Sequence, residues 1–379
     1  MSGFAPRENE ARETTLTSAY AQGVGRHGCE LDAISDGEIA IHRLAGRWLP
    51  AWEAFVDRMP GATLAHDARW SEVISYALGH EDRSLIAERG GQICGILPMM
   101  LLKHWWLGTF HVSLPWLDYG GIVASDEEAC SRLVDTAVEQ ATEDRASFIE
   151  FRSVRKVRRE LPTRDDRVTF LLELGPPEAV WGRLDSKVRN QVRKAQRTGL
   201  KCEFGGGELL REFYQVFARN MRDLGTPVWG ISLFQRILEA YPGASRVALV
   251  RLGEKAIGGG LILHHKDVAY MPSASSLRQY FHLCPNNLLY WEVIKRACET
   301  GYKYFDFGRS RVGSGTFHFK QQWGPLVKPL SWQYALLDRR KIPQLNPSNP
   351  RLRVLIEVWK RLPPVLTNWL GPRIVRHLP

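Results

Sequence analysis

Residues 305–324 read FDFGRSRVGSGTFHFKQQWG. The stretch opens as a buried strand, with Phe305 and Phe307 flanking Asp306. It breaks at Gly308 into arginine, serine and glycine, then returns a single lysine, Lys320, between Phe319 and Gln321. Charged groups set this close to a core segment point to a site rather than to a solvated face.

The strand has a counterpart upstream. SFIEFRS at 147–153 and KYFDFGR at 303–309 share a pattern: apolar or aromatic, acid, phenylalanine. Each follows a helical segment. Residues 126–145 have Leu133, Val134, Ala137 and Ala141 at helical spacing, with Ser125 or Asp126 as cap. CPNNLLYWEVIKRACETG (284–301) starts with Pro285 and stops before Gly301. Each helix in turn follows a hairpin. SLIAERGGQICGILPMML turns at Gly90-Gly91, and RVALVRLGEKAIGGGLILHH turns at Gly253-Glu254-Lys255. Hairpin, helix, strand thus occurs twice, about 160 residues apart. At 379 residues, two copies of one α/β unit account for the length. The expected architecture is two α/β domains packed together with a ligand groove between them.

This sets the domain boundaries. Residues 1–38 are polar and aperiodic and read as a disordered lead-in. The first domain is expected at 39–175, a basic connecting helix at 176–200, the second domain at 201–340 and a basic amphipathic tail at 341–379. In the connecting helix Leu184, Val188, Val192 and Ala195 form an apolar stripe. Arg189, Arg193 and Arg197 recur at every fourth position with Lys194 beside them, a row fit for phosphates or carboxylates. The tail carries Arg351, Arg353, Lys360, Arg361, Arg373 and Arg376 against one acid, Glu357. Its Val354, Leu355, Val358, Trp359 and Leu362 stripe fits either docking on the body or a membrane surface.

Composition narrows the classes. The net charge of +10 fits an anionic partner. No apolar run is long enough to span a bilayer, and no signal peptide is evident, so a cytoplasmic location is expected. The six cysteines form no CxxC pair, and no His/Cys cluster has metal spacing. No metal and no tightly bound cofactor are expected.

KVRNQVRKAQRTGL, PNNLLYWEVIKRACETGYKYFDFGRS and GTFHFKQQWG together resemble the Fem family of non-ribosomal peptidyl (aminoacyl) transferases, with two GNAT-like domains. The resemblance covers about residues 40–340. The tail looks like that of FemAB-like proteins associated with exosortase and exopolysaccharide clusters. It implies transfer of an aminoacyl group from aminoacyl-tRNA to an amine of a peptidoglycan- or polysaccharide-related cell-envelope precursor. An acyl-CoA-dependent N-acyltransferase acting on an exopolysaccharide or lipid-linked sugar is the alternative, and a non-catalytic GNAT scaffold is a third reading. The tail's basic amphipathic look goes with the acyl-CoA alternative, as a peripheral contact with the cytoplasmic face of the inner membrane, while docking of the tail on the body stands beside it.

Aminolysis passes through a tetrahedral oxyanion, so the site must orient an amine and stabilise negative charge. Lys320 is the main candidate; the family resemblance implies that it stands at the reacting centre or on the donor. Asp306 is expected to pair with Arg309 or to orient the amine. Arg309, Ser310, Arg311, Phe319 and Trp323 are candidate substrate contacts, with Gly313 and Gly315 allowing a loop that closes. In the first domain Trp116, Asp118 and Tyr119 form a candidate wall beside Gly120-Gly121. Asn286 and Asn287, with Arg189, Arg193, Lys194 and Arg197, are candidate donor or anion contacts.

Overall fold

The computed structural model describes residues 37–104, 108–338, 341–342 and 350–376, the last from 354 onward for side chains. The lead-in expected at 1–38 lies, up to residue 36, outside the described residues. The chain divides into two compact units. The first comprises the described residues up to Glu72, His80–Asp165 and Leu330–Ile342. The second comprises Val73–Gly79, Asp166–Pro329 and the described residues after Ile342.

The first unit has two sheets. Ala40–Arg43, Leu85–Arg89, Gln92–Leu97 and Val123–Ala124 form one, in that order. The expected hairpin is present: Leu85–Arg89 pairs antiparallel with Gln92–Leu97, and Gly90 and Gly91 turn with φ of 58° and 82°. Two consecutive positive φ values are what a tight two-residue hairpin needs. The second sheet runs Glu81–Asp82, Met100–His104, Gly108–Val112, Phe148–Ser153, Ser331–Leu336, Thr163–Arg164. Gly108–Val112 and Phe148–Ser153 are parallel, ending at the pair Val112↔Glu150. The connecting helix, Glu127–Glu143, starts where Asp126 accepts a hydrogen bond from the Ala129 amide at 2.8 Å. It buries Leu133, Val134, Ala137 and Ala141, the stripe read from the sequence.

The second unit repeats the plan in one sheet. Its order is Leu200–Gly205, Ser245–Leu252, Lys255–His265, Val268–Ser276, Tyr304–Asp306, Arg167–Glu173, Ser310–Arg311, with Leu326–Pro329 also on Arg167–Glu173. Again one strand pair is parallel, Val268–Ser276 with Tyr304–Asp306, joined through the helix Pro285–Glu299. Glycines 258–260 let these strands lie close. A Cβ on Gly259 would stand 2.7 Å from the Ala248 carbonyl oxygen, and one on Gly260 2.8 Å from Met271 Sδ.

Two strands depart from the expected boundaries. Arg167–Glu173, expected in the first domain, pairs with Tyr304–Asp306 in the second unit's sheet through Leu171↔Asp306. Ser331–Leu336, expected in the second, pairs with Phe148–Ser153 through Tyr334↔Glu150. Each covers the free side of the strand that ends the parallel pair. The basic segment at 176–200 is helical as expected, though in two pieces, Pro177–Arg183 and Ser186–Arg197. Its apolar stripe is buried: Leu184, Val188, Val192 and Ala195, with Val180, lie in the second unit's core.

A buried ion pair ties the first unit's strand ends together. Glu150 Oε1 accepts from Arg152 Nε at 2.7 Å, and Glu150 Oε2 accepts from the Tyr334 hydroxyl at 2.8 Å. The Arg152 guanidinium lies 4.4 Å from the Trp332 ring centroid. Burial alone would raise the Glu150 carboxyl, but Arg152 and the Tyr334 hydroxyl hold it below its usual range. Breaking one partner leaves an uncompensated charge. Glu150→Ala is therefore expected to cost about 3–5 kcal/mol in urea unfolding, and the double variant Glu150→Leu/Arg152→Met much less.

Two histidines set an acid limit. His111 is fully buried, with Nε2 3.0 Å from Asp144 Oδ2. Burial lowers its pKa to about 4, although Asp144 pulls the other way. His264, stacked on Tyr302 at 4.5 Å, is likewise lowered to about 4 by burial. Between pH 6.5 and 4 the unfolded chain binds these protons and the folded chain does not. Stability is therefore full above about pH 6.5 and falls on acidification, by about 3 kcal/mol for His111 at the limit. The Tm measured from pH 7 to 4 should drop, and less steeply in His111→Gln.

Candidate functional site

The parallel pairing in the second unit stops at Tyr270↔Asp306. Beyond it Val268–Ser276 continues, while the other chain turns away through Gly308, which has φ of 72°. Asp306 stands at the parting point, 1 % exposed. Its Oδ1 accepts from the Thr169 hydroxyl at 2.9 Å and from the Gly308 amide at 2.7 Å. The carboxylate thus fixes the turn that carries Arg309.

Lys320 meets the same turn from the other side. Its Nζ donates to the carbonyl oxygens of Gly308 and Arg309, each at 2.9 Å, and the side chain is buried. The lysine sits on a helix, Gly315–Gln321, whose first residue belongs to the expected loop at Gly313 and Gly315. Ser314 caps this helix by accepting from the Phe317 amide at 3.2 Å. Aromatic rings hold it in place: Phe317 edges onto Phe170 at 5.3 Å, and Phe319 lies 5.2 Å from Tyr290. Trp323, a candidate substrate contact, is 1 % exposed and lies 6.2 Å from Phe307 in that cluster. Ser310 is buried, and its Oγ has no hydrogen-bond partner among the described residues. Arg311 is exposed and pairs with Asp166 at 3.2 Å.

Asn286 and Asn287 follow Pro285 at the start of their helix, and their side chains join elements. Asn286 Oδ1 accepts from the Ser276 hydroxyl at 2.6 Å, and Asn287 Nδ2 donates to Gln191 Oε1 at 3.0 Å. The second bond ties this helix to Ser186–Arg197. On that helix the Arg189 guanidinium donates to the Gly182 carbonyl at 3.1 Å, and Arg193 lies 5.5 Å from the Trp181 ring. Arg193, Lys194 and Arg197 are exposed, and none forms an ion pair among the described residues.

The first unit has a cavity of about 380 Å³, lined by Tyr119, Gly121, Arg152, Ser153 and Lys156 among others. Its wall is the expected segment at 114–122. Leu114 and Trp116 adopt φ of 55° and 76°, a conformation that costs non-glycine residues energy and needs fixing from outside. Four side chains do so by holding carbonyls. Arg152 donates to Leu117 at 3.0 Å, Trp332 to Asp118 at 3.0 Å, Thr63 to Tyr119 at 3.2 Å and His66 to Gly121 at 2.9 Å. His66 Nδ1 accepts from the Thr63 amide at 3.0 Å, so the ring is neutral with its proton on Nε2. A Cβ on Gly121 would overlap Ser153 Oγ, which explains the glycine. Ser153 Oγ is itself buried with no hydrogen-bond partner among the described residues. Tyr119 lines the cavity; Asp118 is buried beside it, and Trp116 lies 5.5 Å from Trp70.

His66, Arg152 and Ser153 were not singled out in the sequence. The match of FIEFR to YFDFG marked the carboxylate position but not the arginine two residues on. Among the described residues no group of histidines, cysteines or acids is placed to hold a metal ion.

Residues 183–321 match the family model described as an acetyltransferase (GNAT) domain. No match to the chain is found among curated proteins. Among solved structures the chain is similar to FemX, at 16 % identity and a TM-score of 0.62, over 79 % of this chain and 98 % of that one. It is also similar to the C-terminal domain of a putative lysylphosphatidylglycerol synthetase from Agrobacterium fabrum, at 16 % identity and 0.52, over 76 % and 92 %. L-PGS from Bacillus licheniformis gives 12 % and 0.52, over 86 % and 100 %. At such identities the likeness speaks for the fold, and the GNAT-domain match supports the acyltransferase class. The chain has a FemX-like tandem GNAT fold, with an acetyltransferase-type GNAT domain at residues 183–321.

Proposed function

We propose that the chain transfers an aminoacyl group from aminoacyl-tRNA to an amine of a cell-envelope precursor, peptidoglycan- or polysaccharide-related, forming an amide. The observation that carries this reading is the buried Lys320 ammonium on the Gly308 and Arg309 carbonyls, at the point where the GNAT domain's parallel strands part. A free amine attacks the ester carbonyl, the tetrahedral oxyanion forms, and the ribose oxygen leaves and takes up the proton the amine loses. Lys320 supplies fixed positive charge beside that centre, where a preorganised charge is worth more than in water. Asp306 keeps the turn in place. Arg309 and Arg311, the latter already paired with Asp166, are read as contacts for an acidic acceptor, with Ser310 and Phe319 beside them. Trp323 backs the turn from the core.

The donor reading rests on charge. Arg193, Lys194 and Arg197 face solvent on one helix with Arg189 alongside, a pattern suited to a phosphate backbone. Tyr119, with Asp118 and Trp116 behind it, is read as a contact for part of the substrate in the first unit's cavity. The acyl-CoA alternative draws on the matched family, whose description is acetyltransferase. The acceptor is a small-molecule or lipid-linked envelope precursor, and peripheral contact with the cytoplasmic face of the inner membrane is read from the C-terminal helices.

The test supplies the purified chain with tRNA charged with radiolabelled amino acids and a bacterial envelope-precursor extract. The expected result is label in an alkali-stable, amide-bonded product. Arg193→Ala/Arg197→Ala should raise the KM for charged tRNA several-fold, an effect that fades in high salt. Label arriving only from acyl-CoA would replace the donor, and no transfer from either would favour the scaffold reading.

A further inference from the structure

The described chain ends in two helices, Pro350–Arg361 and Pro364–Val375. Each leaves an apolar group in solvent. Val354, Leu355 and Val358 are 65, 62 and 52 % exposed on the first; Val365, Leu366 and Trp369 are 78, 44 and 57 % exposed on the second. The spacing i, i+1, i+4 is the same in both and recurs after eleven residues.

The opposite faces are fixed by close packing, so these side chains are not waiting to roll inward. Thr367, Gly371 and Val375 are buried at every fourth position. A Cβ on Gly371 would stand 2.9 Å from the Val228 amide nitrogen. One on Gly225 would lie 3.1 Å from Lys360 Cε and would also press on Ile356. Arg222 Nε donates to the Leu362 carbonyl at 3.1 Å. Both helices thus rest on the same stretch, residues 222–230, and turn their apolar groups away from it.

Charge indicates what covers them. Residues 350–376 hold six cations and one acid. That acid, Glu357, is taken by Lys360 at 2.7 Å. Arg361, Arg373 and Arg376 are exposed. Arg373 lies 4.3 Å from the exposed Trp369 ring, placing a guanidinium beside an aromatic that itself suits a bilayer interface. A second copy would bring cations against cations. No helix among the described residues is long and apolar enough to cross a membrane.

We propose that these two helices form a peripheral docking surface for an anionic phospholipid bilayer. Val365, Leu366 and Trp369 enter the headgroup–acyl boundary, and Arg361 and Arg373 stay at phosphate level. Apolar insertion and electrostatic attraction act together. The proposal makes the surface of the main reading specific, yet it stands on its own observations, and its test involves no acyl transfer.

The experiment sediments the full chain with sucrose-loaded vesicles of phosphatidylglycerol and phosphatidylethanolamine, or of phosphatidylcholine alone, across a salt series. Binding to the anionic vesicles is expected, weakening as salt rises and absent with phosphatidylcholine. Val365→Ser/Trp369→Ser and, separately, Arg361→Glu/Arg373→Glu should each reduce partitioning at least tenfold. All four side chains are exposed, so the Tm should hold. No binding, equal binding to phosphatidylcholine, or variants that bind like the parent would overturn the proposal. So would a dimer in sedimentation equilibrium that Trp369→Ser dissolves and that fails to bind vesicles.

Discussion

In each unit the parallel strand pair ends on a buried carboxylate, and much else follows from how that charge is satisfied. Val112↔Glu150 closes the pairing in the first unit and Tyr270↔Asp306 in the second. A carboxylate out of water needs donors or a counter-charge. Glu150 is met by Arg152 and the Tyr334 hydroxyl. The same arginine then holds the Leu117 carbonyl, and so the strained segment that walls the cavity. Asp306 is met by the Thr169 hydroxyl and the Gly308 amide. There the carboxylate fixes a turn whose carbonyls receive Lys320. The first carboxylate is met by an arginine and a tyrosine hydroxyl, and the second accepts from a threonine hydroxyl and a backbone amide. The second arrangement leaves a lysine beside the strand opening.

The excess positive charge is not spread evenly. In the first unit Arg83 is paired with Asp144, Arg89 with Asp126 and Arg158 with Asp135. In the second, Arg251 is held by Glu203 and Glu212. The helix Ser186–Arg197 and the two C-terminal helices are different: Arg193, Lys194 and Arg197 on the first and Arg361 and Arg373 on the others are exposed, and the three helices themselves carry one acid, Glu357. A basic surface kept only for solubility would not need such concentration on particular helices. Two cationic faces of distinct character, one polar and one mixed with exposed apolar side chains, fit two kinds of anionic partner.

Local features were legible in the sequence. Gly90-Gly91 announced its turn because both glycines take positive φ. Asp126 and Pro285 marked helix starts, and the repeated acid–phenylalanine pattern located both buried carboxylates. Partner choice was not legible. Arg167–Glu173 and Ser331–Leu336 are apolar strands whose neighbours lie more than a hundred residues away, and nothing local in VTFLL or WQYAL names them. In the candidate site, the closeness of Asp306, Arg309 and Lys320 could be read from a short motif. That Lys320 rides a helix could not, because Gly313, Ser314 and Gly315 suit a loop as well as a cap. Arg152, His66 and Ser153 act on backbone carbonyls and a glycine brought close only by the fold, so sequence spacing gives no sign of them.

The central claim is that the Lys320 ammonium assists acyl transfer from the turn it holds. Single-turnover transfer from charged tRNA by Lys320→Met, compared with the parent chain, tests it most directly. The account predicts a rate about 100-fold lower, with near-UV circular dichroism and tRNA affinity close to those of the parent. A Lys320→Met chain that folds, binds tRNA and transfers at the parent rate would contradict it.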